Sequence, residues 1–318
     1  MIKLNLTMFD MNPNTTETVS EEMKTYYSGY LIDNAKPNLV HDQFGQKHPI
    51  PKNGGKTINF RRFVPFDKAT TPLTEGVTPD GGALSVTSLS STLSEYGYYV
   101  TLSDMLTLTS VDNTLTETSE LLGNQAGATL DTVTREVLNG GTNVMYAGGV
   151  SARSSLSESS KLTVDDIFKA ARFLKTQNAP KINGAYVAII HPDVAYDLMR
   201  DPEWIEANKY SSATKLFEGE IGKIGGVRFV ESTEAKIFKE GNVSVYSTLV
   251  LGANAYGVTE LEGGGLRSII KQLGSGGTAD PLNQRATAGW KAIKTAERLV
   301  ENYMIRIESA SSFNAEVN

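Results

Sequence analysis

The chain has 318 residues, 40% of them hydrophobic and 21% charged, which at about 150 residues per domain predicts roughly two domains and a sizeable core. Lys plus Arg is 30 and Asp plus Glu is 36, leaving a net charge of −6 and a pI near 5.3, which argues against a basic nucleic-acid-reading domain. There is no cysteine and there are three histidines (His41, His48, His191), so disulfide scaffolds, thiolate metal centres and cysteine nucleophiles are excluded.

Residues 1–22 read as a polar arm without a core-forming period and without the apolar stretch of a secretory signal. A short amphipathic stretch follows around Met23, Tyr26, Tyr27, Tyr30 and Leu31. From Thr57 to Phe66 the run TINFRRFVPF alternates with a strand period, and a second alternating run covers about Ala83 to Leu102. Between them Pro72, Gly76, Pro79, Gly81 and Gly82 forbid regular structure. A long two-stranded ribbon with this loop at its tip is the simplest reading, and two strands of an ordinary sandwich is the alternative. An isolated ribbon is marginal in water, so it needs something to lie on. Arg61 and Arg62 point to opposite faces of their strand, so at most one meets a given neighbour; the plainer reading is a ribbon edge guarded by charge.

Residues 112–139 form the clearest helix, with Leu115, Leu122, Ala126, Leu130, Val133 and Val137 on one face and Asn139-Gly140-Gly141 as its stop. Gly123 and Gly127 sit four apart in its middle, where each costs about 1 kcal/mol relative to alanine. Close packing against another backbone, a bend, and mere tolerance all remain open for this pair. Residues 147–160, rich in Ser and Gly, read as a linker or surface loop, and Thr163 with Asp166 opens a second helix to about Gln177. Beyond Pro180 the pattern is α+β. Strands are expected at 185–190, 227–231 and 246–251, a helix at 193–200, and a glycine-broken region through Gly277. Residues 286–309 read as a helix or strand followed by a closing strand through Tyr303, Ile305 and Ile307.

Motifs for chemistry fail one by one. Gly54-Gly55-Lys56-Thr57 imitates the end of a phosphate loop, but Ile50 stands where the first glycine is needed, leaving a plain turn. His41 and His48 are seven apart and do not share a helix face, while His191-Pro192 ends a strand and starts a helix. No nucleophile elbow occurs, since Gly274-Ser275-Gly276 lacks the flanking strand and helix. The longest apolar run, Ala185 to Ile190, is far short of the ~18 residues that cross a membrane. No catalytic, cofactor or metal residues are expected, and neither is a membrane partner.

Taken in order, certain segments resemble the major capsid proteins of tailed bacteriophages, in the branch with a Thr-Glu-Gly-x-x-Pro loop. They are Leu73-Thr-Glu-Gly-Val-Thr-Pro79, Glu95-Tyr-Gly97 with Val100 and Ser103-Asp104, Arg135-Glu-Val-Leu138, and His191-Pro192 with Asp197-Leu198. Ile221-Gly222, Gly225-Gly-Val-Arg-Phe-Val-Glu-Ser232, Gly252-Ala253 with Ala255-Tyr-Gly-Val258, Asp280-Pro-Leu-Asn-Gln-Arg285 and Gly289-Trp-Lys291 complete the set. The resemblance spans about residues 20–310 and implies the α+β shell fold of phages and herpesviruses. It implies an N-terminal arm (1–49), an extended loop (50–104), a peripheral domain (105–159 and 286–318) with the spine helix at 112–139, and an axial domain (160–285). It further implies a non-enzymatic subunit that self-assembles as hexamers and pentamers into an icosahedral head. Its expected partners are a separate scaffolding protein, a portal and a decoration protein. The candidate interface residues are Arg61, Arg62, Phe63, Phe66, Leu73, Glu75 and Val77, with Gly123 and Gly127 as candidate bend positions. A net charge of −6 suits a shell that encloses packed DNA without gripping it. An encapsulin-like cargo compartment and an α+β enzyme are the rivals, the latter to be distinguished by a deep pocket with shifted titratable groups.

Overall fold

The computed structural model describes residues 30–35, 38–49, 55–64, 66–78, 81–109, 114–209, 222–259, 265–275 and 280–318. In chain order, a helix at 30–35 (α1) precedes β1 (Gln46–His48), and β2 (Thr57–Phe63) is followed by β3 (Val86–Thr92). Next come β4 (Ser94–Ser103), α2 (Asp104–Thr109), the long helix α3 (Thr114–Asn139), β5 (Val144–Tyr146), α4 (Val164–Thr176), β6 (Tyr186–Ile190), α5 (Pro192–Met199) and α6 (Pro202–Lys209). The remainder is β-structure: β7 (Lys223–Ile224), β8 (Val227–Glu231), β9 (Ile237–Glu240), β10 (Val243–Leu251), β11 (Tyr256–Thr259), β12 (Leu266–Lys271), β13 (Arg285–Lys294), β14 (Ala296–Arg298) and β15 (Met304–Ser309). This is the α+β class expected.

Two compact units result. One comprises Met1–Lys36, Gly97–Ala126 and Arg267–Lys291; the other comprises Pro37–Tyr96, Gly127–Leu266 and Ala292–Asn318. In the second, a sheet in the order β5-β15-β10-β6-β8-β7, with β9 also on β10, forms the largest core. β10 is its spine, antiparallel to β15, β6 and β9 and buried from Ser244 to Leu251. α4 covers this sheet. Thr163 Oγ1 accepts from Asp166 N, and the Asp166 carboxylate accepts from Thr163 N, closing the capping box. The 3.6-residue period then buries Val164, Ile167, Ala170, Ala171 and Leu174 against Tyr186, Val250, Ile305 and Ile307. Each fully buried Ile or Leu contributes about 1.5–3 kcal/mol. α5 starts as expected, with His191 as N-cap and Pro192 in the first turn.

Several expectations need correction. The second alternating run is two strands. β3 pairs with β2 from Thr92 opposite Thr57 to Val86 opposite Phe63, whereas β4 joins a different sheet in the order β12-β13-β4. Leu93 N donates to Lys56 O at 2.7 Å and closes the base of the ribbon. Alternation is identical whichever partner a strand takes, so this break has no local signal. β2 ends at Phe63. Residues 147–160 are the surface loop of the two readings, carrying short 3₁₀ turns at Ala147–Gly149 and Arg153–Ser155 and pinned by Arg153, whose Nε and Nη2 both donate to the buried Glu308 carboxylate at 2.6 Å. The glycine-broken region contains β11 and β12, and the ambiguous segment from 286 is strand. Met23, Tyr26, Tyr27, Gly54, Pro79, Ile221, Gly276, Gly277 and the 112–113 start of the spine helix lie outside the described residues.

α3 also buries polar side chains that its apolar spacing does not announce. His41 N and Nδ1 both meet the Asp131 carboxylate, at 2.7 and 2.6 Å. Asp42 accepts from Thr134 Oγ1 at 2.6 Å and from Lys294 Nζ, and Tyr256 Oη donates to His41 O. Burial, with the Asp42 and Asp131 carboxylates nearby, pushes the Tyr256 phenol well above its ordinary value.

Candidate functional site

The ribbon is rigid at one end and uncovered at the other. At its base the period-two alternation turns Ile58 and Phe60 inward, where they pack with Leu299 and Val300. Phe60 is fully buried, and its ring meets His48 edge-on at 4.9 Å. The same ring lies over Gly257 so closely that a Cβ there would sit 2.5 Å from it. Ser91 Oγ bonds Thr295 Oγ1 at 2.7 Å on the β3 side.

Beyond Phe60 this support stops. Every described residue from Arg61 to Ser88 is exposed. Phe63, Phe66, Leu73, Val77 and Leu84 are each more than 60% exposed, far from the burial such side chains ordinarily reach. Five large apolar side chains exposed along one loop are more than scattered surface apolarity ordinarily supplies.

The expected contact residues fall here, and the structure orders them. Arg61, Arg62 and Phe63 lie opposite Ser88, Thr87 and Val86. Phe66 reaches across the loop to Gly82, where a Cβ would stand 3.7 Å from its ring. Val77 N donates to Thr74 O at 3.2 Å, making a β-turn with Glu75 and Gly76 in its centre. Gly76 has φ +79, the left-handed value that the third position of a type II turn demands, so Thr-Glu-Gly is a turn that projects Glu75.

Gly123 and Gly127 are both buried in α3 and lie apart from this loop in sequence. A Cβ on Gly123 would meet Leu31 O at 2.7 Å, so that glycine is a point of close helix approach to α1. In the same unit Tyr98, Tyr99, Met105, Leu106 and Leu282 form a further set of exposed large apolar side chains that sequence reading missed. Their one signal was the pair Tyr98-Tyr99, since a strand that buries one face cannot bury both.

Among the described residues, no group of three or more His, Asp or Glu side chains could hold a metal ion, and no helix is long and apolar enough to cross a membrane. Clefts of about 340 and 320 Å³ lie beside β5 and beside the segment that follows β15, respectively.

The family model described as phage capsid protein matches residues 86–299. The chain is similar in structure to the capsid of cyanophage P-SCSP1u, with 15% identity, 86% of this chain and 89% of that one covered, and a TM-score of 0.65. It is similar to the capsid protein of cyanophage Pam1, with 12% identity, 88% and 93% covered, and a TM-score of 0.67. A third likeness is to the virus-like particle from Pyrococcus furiosus, with 11% identity, 90% and 99% covered, and a TM-score of 0.53. At such identities the likeness is one of fold. No curated relative matches the chain. With the family match extending over two thirds of its length, the chain belongs to the phage capsid protein family, and its place is the shell of the virion.

Proposed function

We propose that this chain is the major capsid protein of a tailed phage, self-assembling as hexamers and pentamers into the icosahedral head that encloses double-stranded DNA. The observation that carries the reading is the run from Arg61 to Ser88, exposed at every described residue yet fixed at its base by Ile58 and Phe60. Burying five large apolar side chains on a neighbour would each contribute about 1.5–3 kcal/mol, before the cost of association. In this reading 50–104 is the extended loop and 1–49 the arm. Residues 105–159 and 286–318 form the peripheral domain, α3 is its spine, and 160–285 form the axial domain. Arg61, Arg62, Phe63, Phe66, Leu73, Glu75 and Val77 meet a neighbouring subunit, with Glu75 facing a basic side chain. The role is structural rather than catalytic. A net charge of −6 supports enclosing the genome without sequence-specific contact. A separate scaffolding protein, a portal and a decoration protein are the further partners.

A cargo compartment on the same fold is the competing reading, since the virus-like particle from Pyrococcus furiosus shares that fold. Electron microscopy of the protein expressed alone and together with a candidate scaffolding protein tests both. Closed shells are expected, and shortening residues 64–85 to a tight turn should abolish them while leaving the far-UV circular dichroism nearly unchanged. A protein that stays monomeric under every condition overturns the reading; closed shells that load a protein cargo instead of DNA favour the compartment.

A further inference from the structure

β15 covers β10 only from Tyr246 onward, leaving Val243 to Val245 without a strand partner on that side among the described residues. The chain beyond β15 supplies side chains instead. Asn314 Oδ1 accepts from Ser244 N at 3.0 Å, Asn314 Nδ2 donates to Asn242 O at 3.0 Å, and Ala315 N donates to Tyr246 Oη at 3.0 Å. Farther on, Asn318 Oδ1 accepts from Ile237 N at 3.1 Å and its Nδ2 donates to Ala235 O at 2.9 Å. Two asparagine amides thus stand in for a ladder on β10 and β9. Little apolar burial backs them, because Phe313 is half exposed against the edge of Tyr196. Elements held this way open at a lower free energy than the core.

The near end of this segment is held mainly by one carboxylate, with Ser311 Oγ also donating to Asp193 O at 3.2 Å, Tyr246 Oη donating to Phe313 O at 3.2 Å and Lys161 Nζ donating to Ser312 Oγ. Asp197 Oδ2 accepts from Ser311 Oγ at 2.8 Å and from Ser312 N at 2.7 Å, and Asp197 Oδ1 accepts from Ser312 Oγ at 2.5 Å and from Lys161 Nζ at 3.4 Å. One turn earlier, Asp193 accepts from Tyr246 Oη at 2.8 Å and lies 3.4 Å from His191 Nδ1. Glu158 lines the cleft beside the segment, and Arg200 donates to Tyr196 Oη.

We propose that residues 311–318 are an acid-released clasp, a strap that closes the Ser244 and Ile237 edges of the sheet at neutral pH and lifts off in acid while β6, β10 and β15 stay folded. The device belongs to the single subunit and stands independently of how subunits assemble.

The charges give the direction. Burial opposes the Asp197 charge, but the bonds from Ser312 and Ser311 and the Lys161 charge outweigh it and hold the carboxyl below its ordinary value. Such a group stabilises the fold above its unfolded pKa, and that contribution is lost as pH falls through the folded value. Burial holds His191 below its ordinary value against the pull of Asp193, so its contribution too is lost as pH drops below 6.5. Tyr246, pushed up to about 12 by burial, stays protonated throughout.

Hydrogen exchange of the full, unassembled chain, corrected for intrinsic rates, tests the clasp. Protection of the Ser244, Ile237 and Ala315 amides should fall between pH 7.5 and pH 2, most steeply below the ordinary carboxyl value of 3.8, ahead of Leu249 and Val250. At pH 7.5, Asp197→Asn should lower protection of the segment's partners at least about tenfold, the value of one hydrogen bond to a charged group. Ser311→Ala with Ser312→Ala should do the same through the opposite side of the contact, and Asn314→Ala with Asn318→Ala should open the edges directly. Unchanged protection in Asp197→Asn and in the serine double variant overturns the latch. Loss of the edge amides only together with Leu249 and Val250 overturns a separately opening strap.

Discussion

Gly123 in α3 approaches the main-chain carbonyl of Leu31 in α1 so closely that a Cβ built on it would stand 2.7 Å from that oxygen. The next nearest atom, Asn34 Cβ, would be 3.0 Å away, so the methyl group has no flexible side-chain tip to push aside. Alanine at position 123 gains about 1 kcal/mol of helix propensity but must move a helix backbone to fit. Gly123→Ala is therefore expected to lower the melting temperature of the isolated subunit despite its better propensity. A rise in melting temperature would mean that α1 yields freely and that the glycine serves bending instead.

The buried pair of Asp42 and Lys294 makes a second prediction. Lys294 is fully buried and donates to Asp42, which also accepts from the Thr134 hydroxyl. Lys294→Met leaves a buried carboxylate without its cation, which costs about 3–5 kcal/mol. Urea denaturation should show a loss of that size, partly recovered when Asp42→Asn is added. Equal stabilities of the single and double variants would show that the charge is satisfied elsewhere.

At the ribbon base, Gly257→Ala would drive a methyl group into the Phe60 ring, with a cost of about 1–3 kcal/mol for overpacking. Because Phe60 anchors the ribbon, the amides of β2 and β3 should lose exchange protection before those of β10. Phe60→Ala should reproduce that order through a cavity rather than a clash.

Arg61 and Arg62 are both exposed and lie on opposite faces of β2, Arg62 on the face that carries Ile58 and Phe60. Arg61→Ala and Arg62→Ala should differ in shell yield, measured by sedimentation, while their melting temperatures stay within about 0.5 kcal/mol equivalent of the parent. Equal yields would assign both to a charged, solvated ribbon edge.

Features whose cause is local were legible in the residue order. The capping box at Thr163 and Asp166, the Pro192 start of α5 and strand β8 at Val227–Glu231 each depend on a handful of neighbouring residues. The irregular backbone through Leu73, Glu75 and Val77 was legible for the same reason, since prolines and glycines bar it from any ladder, whereas its exposure was not. The buried polar set was not. His41 meets Asp131 from 90 residues away and Lys294 meets Asp42 from 252 away, and no periodicity encodes a charge whose partner lies in another element.

The α+β class and the long helix were legible in the residue order, because spacing, caps and turn residues act within a few positions; the ribbon was one of two open readings, and its exposed tip emerged only from the structure. Tertiary structure alone decided which strands share a sheet and which faces are wet. β4 leaves the ribbon for β13, and β15 is buried on both faces although Arg306 and Glu308 alternate with Ile305 and Ile307. The reason is physical. Alternation assigns a side chain to one face or the other, but burial of that face depends on what arrives to cover it, and here Arg153 arrives to neutralise Glu308.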